Sequence, residues 1–593
     1  MPHHAGDRVS QTDVAAPTVA TEPAPPPRSL VVDAGAFAVM GAVLFWLPVM
    51  SGGRTPAGLA GLGLMVVLAA PAAVRGVAGT SRTERIVLAA LGVSLLVHPF
   101  VAGYRDGLVQ PLLTYAGVPL VYLVARYVWV AWPGLLVRAL PIAGAWMWLQ
   151  GWSGWFAPSD TLFAAWRVVP WHNPSGILMG GVLVYAVVRF AREPSAWFHG
   201  VVAAAAGSGL WLSSSRGSIA MTALALVVVL AVHVRGRGAV VRTLVVGVAT
   251  VSLTGVLLYL SPAYGPGGEA VVDGRDDGAT TFDADSPFEV RNPAGGNFRA
   301  RLVHVEAAWR MFERDPLVGA GLGSYAYKIL DVADPRMNFT RSAHSEPVEV
   351  LGEGGLLVGV PFAVVHVALL VALTPLVLRR RSTSVTVGAT AAAVLVTAHT
   401  LMDVDWAYTL VPAVAAIWAA VRARSPDPRP VRDGRWTRVT VGLLVAPVVL
   451  GLVTFGWDRV AEARGGAGPW SSAPHVERAV AALAVGDLTT ARSHAAEAAG
   501  ASPGDPAVSG LVDIATYSAT NDVGALTRIA ARAPTLREAG YAIAALVHLD
   551  PDAAVAAADA VLARLDGYHV SRVGVIREQV EDLREQAQRS SAS

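Results

Sequence analysis

Apolar residues in this chain fall into long unbroken blocks separated by short polar connections. The blocks lie at 30–50, 59–74, 86–101, 112–127, 135–149, 177–190, 201–212, 219–234, 240–260, 356–378, 385–401, 406–421 and 439–455. Each approaches the roughly 20 residues that a helix needs to cross the hydrocarbon core of a bilayer. Lipid offers no partners to backbone N–H and C=O groups, so such blocks predict helices, which satisfy those groups internally. The pattern predicts an all-α polytopic membrane protein with about 12–13 transmembrane helices. They divide into an N-terminal set at 30–260 and a C-terminal set at 355–457, with a long loop at 261–354 between them. The first block is too long for a signal-peptide core and has no small-residue cleavage site, so it reads as an anchor.

The ends of the chain break this pattern. Residues 1–29 are rich in Pro and Ala and contain Pro23-Ala24-Pro25-Pro26-Pro27, the composition of a disordered tail. Residues 458–593 change to Ala, Asp, Glu and Arg with helical periodicity and no apolar block. Two short helices around Gly486-Asp487, followed by a break at Ser502-Pro503-Gly504-Asp505-Pro506, resemble a tetratricopeptide-like (TPR-like) array. A generic helical bundle is the alternative. Either suits the binding of a protein partner better than chemistry. His475, His494, His548 and His569 stand in no metal-ligand spacing and read as surface histidines.

Composition agrees with the pattern: the 593 residues are 53% hydrophobic and 15% charged, with mean hydropathy +0.48, too apolar for a water-soluble chain. The net charge of +2 is distributed along the loops and forms no basic patch for nucleic acid. The chain has no cysteine, which excludes disulfides and thiolate metal sites. Arginines set the orientation, because basic short loops stay cytoplasmic. One alternating set of connections carries Arg75, Arg82 and Arg85, then Arg126, Arg189 and Arg192, Arg235 and Arg237, Arg379 to Arg381, and Arg422 to Arg435. The other set holds only Arg54, Arg105, Arg167 and Arg216 in its short loops and contains the long 261–343 segment. The tail is then cytoplasmic, while the long loop and the region after Phe455 are extracytoplasmic.

That long loop gathers the reactive residues. Arg301 precedes Asp315-Pro316-Leu317-Val318-Gly319-Ala320-Gly321, and His344 and Glu353-Gly354-Gly355 follow. Guanidinium pairs with a diphosphate through two parallel hydrogen bonds, and imidazole takes a proton near neutral pH. Gly319 and Gly321 permit close backbone approach to a ligand. Arg216 lies in a short outer turn at the membrane boundary, where it can grip phosphate or snorkel to the headgroups. His399, Asp403 and Asp405 flank the outer end of another block and read as a sugar-contact group or as interfacial caps. One histidine and two carboxylates are too few for a metal site. Gly319-Ala320-Gly321-Leu322-Gly323 lacks the preceding strand of a dinucleotide fingerprint. The acidic run 273–289 has Arg275 where a calcium loop needs oxygen and reads as a solvated lid. The first outer loop, Ser51 to Thr55, has no paired acids, unlike the metal-dependent oligosaccharyltransferases.

The segment "RLVHVEAAWRMFERDPLVGAGLGSY" followed by "HSEPVEVLGEGGLLVG" resembles the signature loop of the O-antigen ligase and polymerase family of bacterial envelope glycosyltransferases. Glu353 and Gly355 stand nine and eleven residues after His344, as in that family's pattern. "SSSRGSIA" around Arg216 resembles the family's arginine-bearing turn, and "HNPSG" around Asn173-Pro174 does so more weakly. Ser345 and Val305 depart from the pattern, where Asn and an aromatic are common. The resemblance spans 30–421 and omits the last block and the C-terminal domain. It implies an inner-membrane enzyme that moves a glycan from an undecaprenyl-diphosphate carrier to a hydroxyl of a glycan or lipid acceptor, without a metal or other cofactor. Arg216 and Arg301 would hold the diphosphate and His344 would take the acceptor proton, with Glu353, Gly319, Gly321, His399, Asp403 and Asp405 around the substrate.

Two other classes fit a polytopic chain. A transporter or flippase of lipid-linked glycan predicts internal repeats and ionisable groups at midmembrane depth, and neither is visible. A membrane scaffold acting through its C-terminal helices needs no loop chemistry.

Overall fold

The computed structural model describes residues 29–592 apart from 54, 78–79, 106, 156–167, 261–293, 333–341, 404, 423–433, 465–467, 469, 485–486, 502–511, 514–519, 521, 532–535 and 566–570. The tail, Arg54, Arg167, the acidic run 273–289 and His569 lie outside these residues. The described elements are helices, with no strand among them. The membrane part contains α1 (Leu30–Gly41, continued by a π turn), α2 (Pro56–Leu68), α3 (Ala70–Val77), α4 (Arg82–Val101), α5 (Val109–Ala131), α6 (Pro133–Trp155), α7 (His172–Arg192), α8 (Trp197–Leu212), α9 (Arg216–His233) and α10 (Arg237–Tyr259). The loop contributes α11 (Ala294–Arg314) and α12 (Tyr325–Val332). Then come α13 (Glu346–Leu378), α14 (Ser384–His399), α15 (Leu410–Ala420) and α16 (Gly434–Ala463).

All thirteen apolar blocks are helical, but they differ in reach. Among the described residues, seven helices are long and apolar enough to cross a membrane, or eight if the bent pair α2–α3 counts as one span. The helices at Leu30–Trp46, Ser384–His399 and Leu410–Ala420 are apolar but shorter. The helical, strand-free architecture of the described residues is that of an all-α polytopic membrane protein. The α2–α3 pair bends by 61°, where Ala69 leaves the helical region and Pro71 removes a backbone donor from the next turn.

Burial separates core helices from lipid-facing ones. In α7 and α5, 94% and 89% of the most apolar window is buried, against 11% in α10. Val241, Leu244, Val248 and Val251 on α10 recur at helical spacing and are each more than half exposed. In water, leaving such side chains uncovered would forfeit about 1.5–3 kcal/mol apiece, so this face belongs against hydrocarbon. The central α7 packs on α8, α9 and α14, and α5 packs on α3, α15 and α16.

The two ends of the bundle differ in chemistry. At one end Arg189 bonds Ser384 and Glu193, Arg192 bonds the Ser382 carbonyl, Arg126 bonds the Ala420 carbonyl and Arg422 pairs with Glu84 at 2.7 Å. The opposite ends of these same helices carry His172, His399 and Leu410, and there the loop helices α11 and α12 sit. The C-terminal unit starts on that second side, since Trp470 packs edge-on against Phe100 at the end of α4, 6.1 Å between ring centres. It comprises α17 (Ala473–Ala484), α18 (Leu488–Ala501), α19 (Val523–Ala531), α20 (Leu536–Leu549), α21 (Pro551–Leu565) and α22 (Ser571–Ser591). Consecutive helices α17–α18, α19–α20 and α21–α22 pack as hairpins, the last four helices around a core that includes Ile529, Ile543 and Val561.

Candidate active site

The loop is anchored by a backbone splice at Gly355. This residue has φ +56 and interrupts α13, so the span proper starts at Leu356, where the apolar block begins. The donors freed at the break are taken by the loop: Leu356 N–H donates to the Pro316 carbonyl at 2.8 Å and Leu357 N–H to that of Leu317 at 3.0 Å. In return Ala320 and Gly321 donate to the carbonyls of Gly352 and Glu353 at 3.1 and 2.7 Å. Chains this close leave no room for a side chain. A Cβ at Gly319 (φ +77) would lie 2.4 Å from the Glu353 backbone, and one at Gly355 would lie 2.6 Å from the Leu317 carbonyl. Gly321 (φ +107) faces the Tyr104 backbone in the same way. The two glycines expected beside substrate thus touch protein backbone. Glu353 is buried, and its carboxylate accepts from Gly323 N–H at 2.8 Å and Tyr325 N–H at 2.7 Å, closing the turn and starting α12.

On that base α11 presents Arg301 and His304 one turn apart on the same face. Tyr325 Oη donates to the His304 carbonyl at 3.0 Å, tying α11 to the closed turn. The His304 ring stacks on His344, 5.5 Å between centres and 27° from parallel. His344 itself has φ +53, a left-handed conformation that costs of order 1–3 kcal/mol for a residue with a Cβ. Its neighbours hold it there. Ala343 N–H donates to Glu349 at 2.6 Å, and Glu346 N–H donates to the Thr400 carbonyl at 3.0 Å.

Asp403 unites the cluster. Its side chain is 1% exposed, and Arg301 reaches it at 3.1 Å while donating through its other terminal nitrogen to the Met402 carbonyl at 2.7 Å. His344 Nδ1 lies 3.5 Å from the other carboxylate oxygen, within ion-pair range and longer than a good hydrogen bond. Burial would raise the Asp403 pKa, yet the His344 contact and the charges of His399 and Arg301 outweigh it and hold the group at about 2. These partners favour its carboxylate form. His172, at the start of α7, lies within electrostatic reach of Asp403, Arg301 and His344.

A second chain of contacts runs beneath. Asp405 accepts from His399 Nδ1 at 2.7 Å, His399 Nε2 meets Ser218 Oγ at 3.3 Å, and Ser218 Oγ donates to the Asn173 carbonyl at 3.0 Å. Ser215 Oγ donates to Asn173 Oδ1 at 2.7 Å. The network fixes the turn before α9, whose first residue, Arg216, is exposed. Arg216 has no ion pair or hydrogen bond among the described residues, so its guanidinium is available to a ligand.

The structure thus brings together Arg301, His344 and Asp403, and links His399 and Asp405 to the Arg216 turn through Ser218 and Asn173. His399, Asp403 and Asp405 are buried beneath the surface residues, positioned to orient them more than to meet a substrate. Sequence reasoning singled out neither His304 nor His172; the spacing of three between Arg301 and His304 was the available signal for the first, and the place of the second at the head of "HNPSG" was its signal.

The chain is a helical multi-pass membrane protein with a basic and imidazole cluster at one end of its bundle. Residues 200–363 match the family model described as O-antigen ligase, so the chain carries an O-antigen ligase domain over this segment. It is a membrane glycan ligase in general class, and the family implies lipid-linked glycan substrates. The match includes Arg216, Arg301, His344 and Glu353 and ends before Asp403. No curated protein matches the chain.

Proposed function

We propose that the protein transfers a glycan from an undecaprenyl-diphosphate carrier to an acceptor hydroxyl, as a ligase or polymerase, on the extracytoplasmic side of the bacterial cytoplasmic membrane and without a metal. The observation that carries this reading is the buried Asp403 carboxyl shared by Arg301 and His344. A carboxylate facing His344 Nδ1 favours the tautomer with the proton on Nδ1, which leaves Nε2 to act as a base. The acceptor oxygen then attacks the anomeric carbon and its proton passes to Nε2. The bond from that carbon to the diphosphate oxygen breaks, and the diphosphate leaves with the electron pair. General-base assistance of this kind contributes about 100-fold to 10,000-fold.

The leaving diphosphate needs cations. Arg301 is about three-tenths exposed and has donors beyond the two that Asp403 and Met402 use. Arg216 supplies a second guanidinium. An apolar groove lined by Leu88, Leu369 and Ala416 runs from Thr400 and Trp406, next to Asp405, toward Glu84 and Arg422. Such a groove suits the hydrocarbon of a lipid carrier whose headgroup reaches the cluster. Phe100 against Trp470 sets the C-terminal helices on the same side, where they suit an acceptor or a protein partner.

Purified enzyme in detergent, supplied with undecaprenyl-diphosphate-linked glycan and acceptor, tests the reading. Product should form with excess EDTA present. Binding of donor without any transfer, under conditions where the folded enzyme meets its acceptor, would favour a lipid-linked-glycan transporter instead.

A further inference from the structure

The C-terminal unit holds a group of side chains that the proposed glycan chemistry does not use. His494 and Glu497 lie three residues apart on α18 and so share one face. His475 reaches the same point from α17. Glu497 Oε2 is 2.8 Å from His475 Nδ1 and 2.9 Å from His494 Nδ1, and the three potential ligand atoms all lie within 4.8 Å of one another. The rings of the two histidines sit 5.9 Å apart. Beneath them the helices are locked by Ala479 and Ala495, both buried, so the three side chains project from a fixed frame.

We propose that His475, His494 and Glu497 bind a divalent transition-metal ion of the zinc class, which clasps the first hairpin of the C-terminal unit. Two imidazoles and one carboxylate form a donor set that zinc accepts, with water in the fourth position. Tetrahedral zinc with bonds of about 2.0–2.1 Å separates its ligand atoms by roughly 3.3 Å. The two Glu497 contacts, at 2.8 and 2.9 Å, therefore need to open by only about half an ångström. A hydrogen-bonded brace explains the cluster less well. His475 Nδ1 is buried and close to Glu497 but lacks the alignment of a hydrogen bond. Glu497 is also half exposed, and exposed pairs of this kind contribute about 0–1 kcal/mol. The site was hidden in the sequence because nineteen positions and a helical turn-around separate its two histidines.

The test uses the full-length protein in detergent, purified without a polyhistidine tag and stripped with chelator. Zinc is titrated against a chromophoric chelator, and cobalt is used separately as a spectroscopic probe. One equivalent of zinc should bind, cobalt should give the intense visible bands of a four-coordinate site, and zinc should raise the melting temperature. His475→Ala, His494→Ala and Glu497→Gln should each weaken zinc binding at least 10-fold and remove the zinc-dependent thermal shift, while melting like the stripped wild type. Equal zinc affinity in wild type and variants would overturn the assignment. So would variants that lose stability while the wild type binds no zinc, the result expected of a hydrogen-bonded brace only.

Discussion

Replacing Asp403 by Asn probes the element that joins the two functional side chains. The substitution keeps the shape and leaves an oxygen for Arg301 but removes the charge. Asp403 is 1% exposed and touches Arg301 at 3.1 Å and His344 at 3.5 Å, so both contacts lose their charged partner at once. Breaking a fully buried pair costs about 3–5 kcal/mol. Arg301 is partly solvated and keeps its bond to Met402, which brings the stability cost to roughly 1.5–3 kcal/mol, the range of a hydrogen bond to a charged group. The catalytic loss is larger than one contact implies, because an amide can turn its NH2 toward Nδ1 and stabilise the tautomer that carries the proton on Nε2. A wrong tautomer costs about 10,000-fold in the serine-protease triad. The looser contact here predicts a fall of at least 100-fold in kcat with little change in donor KM. Turnover is measured as glycan transfer by purified enzyme, with a melting curve to establish folding. A folded Asp403→Asn enzyme within threefold of wild-type turnover would refute the positioning role.

Arg301→Lys should abolish most transfer despite retained charge, since one ammonium cannot reach Met402, Asp403 and a phosphate together; Arg216→Lys should be severely impaired for the same planar-fork reason, and full glycan synthesis by both at normal protein level would remove the diphosphate clamp. Gly319→Ala and Gly355→Ala should each lower the melting temperature, by more than about 1 kcal/mol of stability because both positions combine positive φ with backbone contact, whereas Gly247→Ala, where nothing lies within 4 Å of the new Cβ, should be neutral or slightly stabilising. Transfer by His494→Ala enzyme, which lacks a residue of the proposed C-terminal zinc site, should be unchanged in EDTA; loss restored by magnesium or manganese would hand charge neutralisation to a metal. Reporter fusions after Asp458 and within the 261–293 segment should both read as extracytoplasmic, and a cytoplasmic signal from the second would remove the donor site from the side proposed for it.

The helical membrane architecture was legible because hydrophobic length is a local property: each block of apolar residues specifies a helix whatever surrounds it. Its limits were local too, since the break at Gly355 coincides with the start of a block, whereas the 61° bend at Ala69 hid inside one. Arg301 and His344 stood out as chemical types in an otherwise apolar chain. Their meeting at Asp403 did not, because contacts across about sixty to a hundred residues arise from packing and leave no spacing in the sequence. Glu353 shows the converse. It was visible as a charge beside glycines in the loop pattern, yet its carboxylate is occupied by the amides of Gly323 and Tyr325. The burial of His399, Asp403 and Asp405 was equally invisible, since a polar residue at the end of an apolar block can cap it, face water or turn inward.

The most direct measurement is single-turnover glycan transfer by His344→Ala, with donor binding recorded on the same preparation. The account predicts a rate lower by about 100-fold or more with donor affinity little changed, because a base acts on the acceptor and is needed chiefly in the transition state. Near-normal turnover by the folded variant would contradict it and leave His344 a structural residue that stacks on His304.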